Sequence, residues 1–151
     1  MRYIDQVLQP GEKIVFSSTL SRAIYIPGIL LWLAALLLAV AGSVLQPSNV
    51  WLWSALAVAL LAAISSLKAW FRRWTTEIDV TDRRVVYKRG FIRRHTVEIN
   101  MDKVESVDVD QSLFGRLFDY GDVVFRGTGE GIEPLRGIDS PLAFRSAVTA
   151  R

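Results

Sequence analysis

Two uninterrupted apolar runs, Ala23 to Leu45 and Val50 to Leu67, are separated only by Gln46-Pro47-Ser48-Asn49. At ~1.5 Å per helical residue the first covers ~34 Å, enough for a ~30 Å hydrocarbon core, and the second reaches that span with a little of its flanks. The pattern predicts a transmembrane helical hairpin: one helix over 23–45, a loop over 46–49 and a second helix over 50–70. Pro27-Gly28 suits a first helical turn or a small kink. Ala34, Ala35, Ala39, Ala41, Gly42 and Ser43 on one helix, with Ala55, Ala57, Ala59, Ala62 and Ala63 on the other, favour close approach of the two backbones. No charge interrupts either run, so the usual mark of an ion or proton pathway is missing.

From Trp74 onward the period changes to two. Thr76, Ile78 and Val80 alternate with Glu77 and Asp79, Thr81 to Arg84 supplies a turn, and Val85 and Tyr87 then face away from Arg84 and Lys88. Further strands are predicted near Arg93 to Ile99, Val104 to Val109, Asp122 to Arg126 and Ile132 to Ile138. Val104 is out of phase, which suggests a bulge or a late start, and Pro134 marks the last as an edge or irregular strand. Leu113, Phe114, Leu117 and Phe118 fall at helical spacing and are expected to join the core, although an exposed part of that turn would be a protein-docking patch. Ser140 as N-cap, Pro141 at the first position and the stripe Leu142, Phe144, Ala147, Val148 predict a C-terminal amphipathic helix. Before the hairpin, Lys13 to Ser21 alternates as well and is expected to add a strand to the same domain. The predicted fold class is therefore α+β: a two-helix transmembrane hairpin, then a small antiparallel β-barrel or bent sheet over 74–151, capped by a C-terminal helix.

The charge is sorted along the chain. Residues 1–22 hold three basic and two acidic side chains, Lys68 to Arg94 nine and three, and His95 to Arg151 six and ten. Arg2, Lys13 and Arg22 precede the hairpin, Lys68, Arg72 and Arg73 follow it, and its loop is uncharged, so the positive-inside rule puts both termini in the cytoplasm and the loop outside. Tyr25, Trp51, Trp53, Trp70, Phe71 and Trp74 suit the interfacial aromatic belt. A cleaved signal peptide is the rival reading, through Ala39-Val40-Ala41 before Gly42. Asp5 and Glu12 in the lead-in, and an apolar run longer than the ~7 to 15 residues of such a segment, argue against it. With 151 residues, no Cys and one His, the chain has room for one small soluble domain and offers neither a thiolate nucleophile nor a Cys- or His-rich metal site.

Thr76-Glu77-Ile78-Asp79-Val80-Thr81-Asp82-Arg83-Arg84-Val85-Val86, Arg89-Gly90-Phe91-Ile92-Arg93-Arg94 and the stretch from Val104 to Val123, with Gln111-Ser112-Leu113-Phe114-Gly115-Arg116-Leu117-Phe118 inside it, resemble the bacterial PH-domain family of YdbS type. The lead-in Leu8-Gln9-Pro10-Gly11-Glu12-Lys13 and the hairpin match that family's layout. The resemblance implies a pleckstrin-homology fold on a bacterial inner-membrane protein, with no general enzymatic activity to carry over. Phosphoinositide-binding PH domains use a basic pocket between their first two strands. Arg83 and Arg84 at the first turn lack that motif, so the resemblance implies no lipid site here.

Candidate chemistry reduces to one basic set: Lys68, Arg72, Arg73, Arg83, Arg84, Lys88, Arg89, Arg93 and Arg94. Arg72, Arg73, Arg83, Arg84, Lys88, Arg93 and Arg94 are the candidates for anionic headgroups, each Lys or Arg near the surface contributing ~1 kcal/mol. The alternative is a topology signal with solvated strand faces. No catalytic, cofactor or metal residues are assigned. His95 reads as a core or rim residue, Asp108, Asp110, Asp119 and Asp122 as strand, turn and cap residues, and Gly127 to Gly131 as a loop. The function expected is a non-enzymatic, membrane-anchored scaffold acting through a protein partner, a homo-oligomer or anionic lipid. The alternative is an accessory subunit of a membrane enzyme or export complex. Nucleic acid is disfavoured because the basic residues adjoin the membrane and the distal part is acidic.

Overall fold

Lys13 to Ser21 supplies strand β1, observed at Ile14–Ser18 and preceded by one turn of helix, α1 (Ile4–Val7). After a 3₁₀ turn at Arg22–Tyr25 come α2 (Ile26–Leu45) and α3 (Asn49–Trp74). Strands β2 (Glu77–Thr81), β3 (Arg84–Arg89), β4 (His95–Asn100) and β5 (Val104–Asp110) follow, then α4 (Leu113–Leu117), β6 (Tyr120–Gly127), β7 (Leu135–Asp139) and α5 (Pro141–Thr149). These elements are those of a computed structural model that describes residues 3–45, 49–91, 95–127 and 134–150. Most of the loop read at 46–49, the strand residues at 92–94 and the glycine loop at 128–133 lie outside the described residues.

The chain divides into two compact units. One is residues 24–71; the other joins the residues up to Ala23 with those from Arg72 onward. Within the first, Gly28, Ala35 and Gly42 on α2 and Ala55, Ala62 and Ala69 on α3 are the buried positions. Each set recurs every seven residues, so a 3.5-residue repeat keeps one narrow seam of small residues facing the other helix. A Cβ at Gly28 would sit 2.7 Å from Ser66 Oγ, and one at Gly42 would collide with the Trp51 side chain. Only Ala35, Gly42, Ala55 and Ala62 of the small residues expected at this contact are buried there. The remaining faces are apolar and exposed, Leu37, Val44, Leu52 and Leu60 among them, and both helices are long and apolar enough to cross a membrane.

In the second unit two antiparallel sheets form, in orders β1-β2-β3-β4 and β5-β6-β7. They meet where Leu20 bridges Ile138 and Asp139 N–H donates to the Thr19 carbonyl. Inward positions of both sheets (Ile78, Val80, Val85, Ile99, Val107, Val123, Phe125, Ile138) share one core, which α5 closes. Phe144 is fully buried there, edge-on to Phe16 at 6.2 Å and to Phe125 at 6.1 Å. The expected irregularity at the start of β5 is present as a register shift between Val104 and Ser106.

Three local expectations are corrected. Ser140 does not cap α5 through its side chain: it adopts φ 51°, and its hydroxyl donates to Asp119 Oδ2 at 2.6 Å. Leu142, placed on the buried stripe of α5, is exposed. Leu113, Phe114, Leu117 and Phe118 are not core, being 83%, 68%, 74% and 55% exposed. The four do share one helical face, but that face turns outward, leaving Gly115 as the buried residue of the turn. Leu117→Asp is therefore expected to leave stability within about 0.5 kcal/mol of wild type in chemical denaturation, where the sequence alone predicts unfolding.

Candidate functional site

The outer face of the first sheet is not open to solvent over β2 and β3. Alternation places Glu77, Asp79 and Thr81 of β2 and Arg84, Val86 and Lys88 of β3 on that face, yet Asp79, Thr81, Arg84 and Val86 are buried. The segment from Tyr3 to Glu12 lies over it. Tyr3 N–H donates to Glu77 Oε2 at 2.7 Å, and the Tyr3 ring lies 5.3 Å from Lys88 Nζ, which also pairs with Glu77 at 3.6 Å. Arg84 donates through Nε and Nη2 to the two oxygens of Glu12, both at 3.0 Å, through Nη1 to Glu98 at 2.7 Å and through Nη2 to the Val7 carbonyl at 2.7 Å. Glu12 also accepts the Thr81 hydroxyl at 2.7 Å and the Gln9 N–H at 2.8 Å.

Burial opposes ionisation of Glu12, but the Gln9 and Thr81 hydrogen bonds and the Arg84 guanidinium outweigh it and hold the carboxyl at about 2. Arg84 is held above its ordinary value by the hydrogen bond with Glu12, against the cost of burial and with help from Glu98. A carboxyl whose pKa is lowered on folding contributes stability that is complete above its ordinary value of 4.5 and is lost as pH falls toward 2, about 3 kcal/mol in all. Thermal unfolding between pH 6 and pH 3 should show a larger loss of Tm in wild type than in Glu12→Gln.

The headgroup set read from sequence is thus divided. Arg84 is a buried structural cation, and Lys88 is engaged by Glu77 and Tyr3, so neither is a free headgroup ligand. The error lies in reading every charged strand residue as solvated when a second layer covers the strand. Arg83 is exposed on the β2–β3 turn, at the end of those strands remote from Arg72 and Arg89, and Arg73 is half-buried. Arg93 and Arg94 lie outside the described residues.

What the fold does bring together is Arg72, Arg89 and Arg136. They line a cleft of about 390 Å³ with Leu20, Thr76, Tyr87 and Pro134. Each arrives for a local reason. The inward alternation that buries Val85 and Tyr87 continues to Arg89, but there β3 has run past the core, so the guanidinium reaches the mouth of the sheets. Arg72 stands in the last turn of α3, whose C-terminus is closed by the Thr76 hydroxyl donating to the Arg72 carbonyl at 2.8 Å. Arg136 is the exposed residue beside buried Leu135 at the start of β7. None of the three guanidinium groups forms an ion pair with a described residue. The carboxylates Glu77, Asp79 and Asp139 line a separate cleft with Ser17, Ser18 and Ser140. Trp74 and Phe91, each two residues beyond a cleft arginine and 60% exposed, stack at 5.9 Å.

Arg72 was among the candidates and Arg89 within the wider basic set. Arg136 was missed, since it is a lone cation in an acidic stretch and only strand pairing brings it to the others. A family model, described as bacterial PH domain, matches residues 21–151. No curated protein and no solved structure matches the chain.

Proposed function

The chain belongs to the bacterial PH-domain family, and from that premise we propose that it is a membrane-anchored binding module whose Arg72–Arg89–Arg136 cleft takes an anionic headgroup. PH domains are generally binding modules without catalytic activity. The convergence of three cations without acidic partners among the described residues carries the reading. Guanidinium groups recognise phosphate by paired N–H donors. The exposed apolar faces of α2 and α3 support the two spans, and the charge asymmetry supports cytoplasmic termini at a bacterial inner membrane. The hairpin layout ahead of β2 supports the YdbS-type reading. Trp74 and Phe91 beside the cleft have the composition of an interfacial rim, and tethering keeps a weak headgroup site loaded by raising its effective concentration.

The test uses the full chain in a neutral detergent, titrated with short-chain phosphatidic acid, phosphatidylglycerol or phosphatidylcholine, with glycerol 3-phosphate and inorganic phosphate as soluble arms. Calorimetric binding of the anionic lipids is expected to weaken with salt and to fall by at least ~10-fold in Arg72→Gln/Arg89→Gln/Arg136→Gln, with Arg83→Gln unchanged. Equal binding of anionic and zwitterionic lipid, or equal binding by the triple variant, sinks the reading. Binding of the soluble phosphates alone would assign the cleft to a free phosphate compound.

A further inference from the structure

The headgroup reading leaves α4 unexplained. Its four apolar side chains are exposed while its backbone is tightly held. The Ser112 hydroxyl caps the helix by accepting the Gly115 N–H at 3.0 Å, and the Gln111 amide donates to the Tyr120 carbonyl at 3.1 Å. A Cβ at Gly115 would come within 2.6 Å of the Tyr120 carbonyl. Ser140 binds Asp119 twice, N–H to carbonyl at 2.9 Å and hydroxyl to carboxylate at 2.6 Å. Polar contacts alone thus fix a helix that presents Leu113, Phe114, Leu117 and Phe118 outward. A backbone already held in one geometry adds no ordering cost of its own on docking.

We propose that α4 is a self-association surface, on which a second copy of this chain docks through its own α4. With Leu142, the four residues expose on the order of 600 Å² of surface, a large patch for a soluble domain and most of the ~800 Å² that one partner contributes to a standard interface. Beside the helix is a groove of about 460 Å³, lined by Asp110, Arg116, Asp119, Leu142 and Arg145 among others. Two acids and two arginines on one small surface match a partner carrying the same set, and a two-fold contact requires that self-complementarity because each residue meets its reciprocal. A bilayer is the weaker occupant. The surface is anchored at the Asp139 end of β7, while the arginine cleft lies at the Pro134 end.

The chain contains no cysteine, so single replacements report without background. In the full chain, in membranes, Leu117→Cys is expected to give disulfide-linked or short-linker dimers at ~10-fold or greater excess over Arg83→Cys; contact through the hairpin alone would not distinguish the two positions. In detergent, sedimentation should give a dimer for wild type and a monomer for Phe114→Asp/Leu117→Asp, with a native near-UV circular dichroism spectrum showing that the variant is folded. A monomeric wild type, a dimer that persists in the double variant, or equal cross-linking at positions 117 and 83 would overturn the proposal. None of these readouts depends on headgroup binding.

Discussion

A fragment beginning at Trp74 is expected not to fold, whereas the chain with residues 24–71 replaced by a short Gly/Ser linker is expected to form the two-sheet domain. The fragment contains every strand but β1, and β1 is the neighbour that β2 pairs with on its second edge, Ser18 opposite Ile78 and Phe16 opposite Val80. Losing it removes Phe16 from the core, worth about 1.5–3 kcal/mol. It also removes the segment carrying Val7 and Glu12, which uncovers Asp79, Thr81, Arg84 and Val86 on the outer sheet face and exposes the buried side chain of Val86. With the second edge of β2 left unpaired as well, these losses are large against a stability of about 5–15 kcal/mol. The linker needs only to join Ala23 to Arg72, because the strands on either side are already adjacent in the sheet; about eight flexible residues reach roughly 15 Å. Near-UV circular dichroism and limited proteolysis separate the outcomes. A cooperatively folded 74–151 fragment would show that β1 is dispensable.

Arg84→Ala should be the most damaging single substitution on the polar surface of the domain, costing about 3–5 kcal/mol in chemical denaturation, while Arg83→Ala, its neighbour, stays within about 0.5 kcal/mol. The loss arises less from the attraction removed than from the charge left behind: Glu12 is 5% exposed and keeps only Thr81 and the Gln9 N–H. The double variant Glu12→Gln/Arg84→Met should therefore recover part of the loss, since it leaves no buried ion. If Arg84→Ala and Arg83→Ala cost the same, the covering of this sheet face by the N-terminal segment is wrong.

Much of this architecture could be read in advance. Long uncharged runs have one helical interpretation, and the period-two residues around Ile78, Val85 and Val107 are strands whichever way they pair. What local pattern does not carry is what lies on the far side of each element. Arg84 reads as solvated because nothing nearby in sequence reveals that residues 3–12 cover it, some 75 positions away. Leu117 reads as core because apolar spacing reports a common face without its direction. The cleft arginines come from a helix end and two strands that are remote in the chain, and their meeting is a property of the sheet order. The outward face of α4 was foreseen only as a possible exception to its burial.

If the two helices span a bilayer as proposed, the separation of β1 from β2 by the whole hairpin has a consequence for how the protein is made. β1 leaves the ribosome first and has no partner until both helices and β2 have followed. If the hairpin is inserted with one helix crossing and the other left behind, β1 and β2 end on opposite sides of the bilayer and the sheet cannot close. With the termini on the cytoplasmic side, as proposed above, an inverted hairpin would close it in the other compartment. Completion of the domain thus certifies an even number of crossings, and a misinserted chain carries an unpaired strand and an uncovered Arg84 as marks for quality-control proteases.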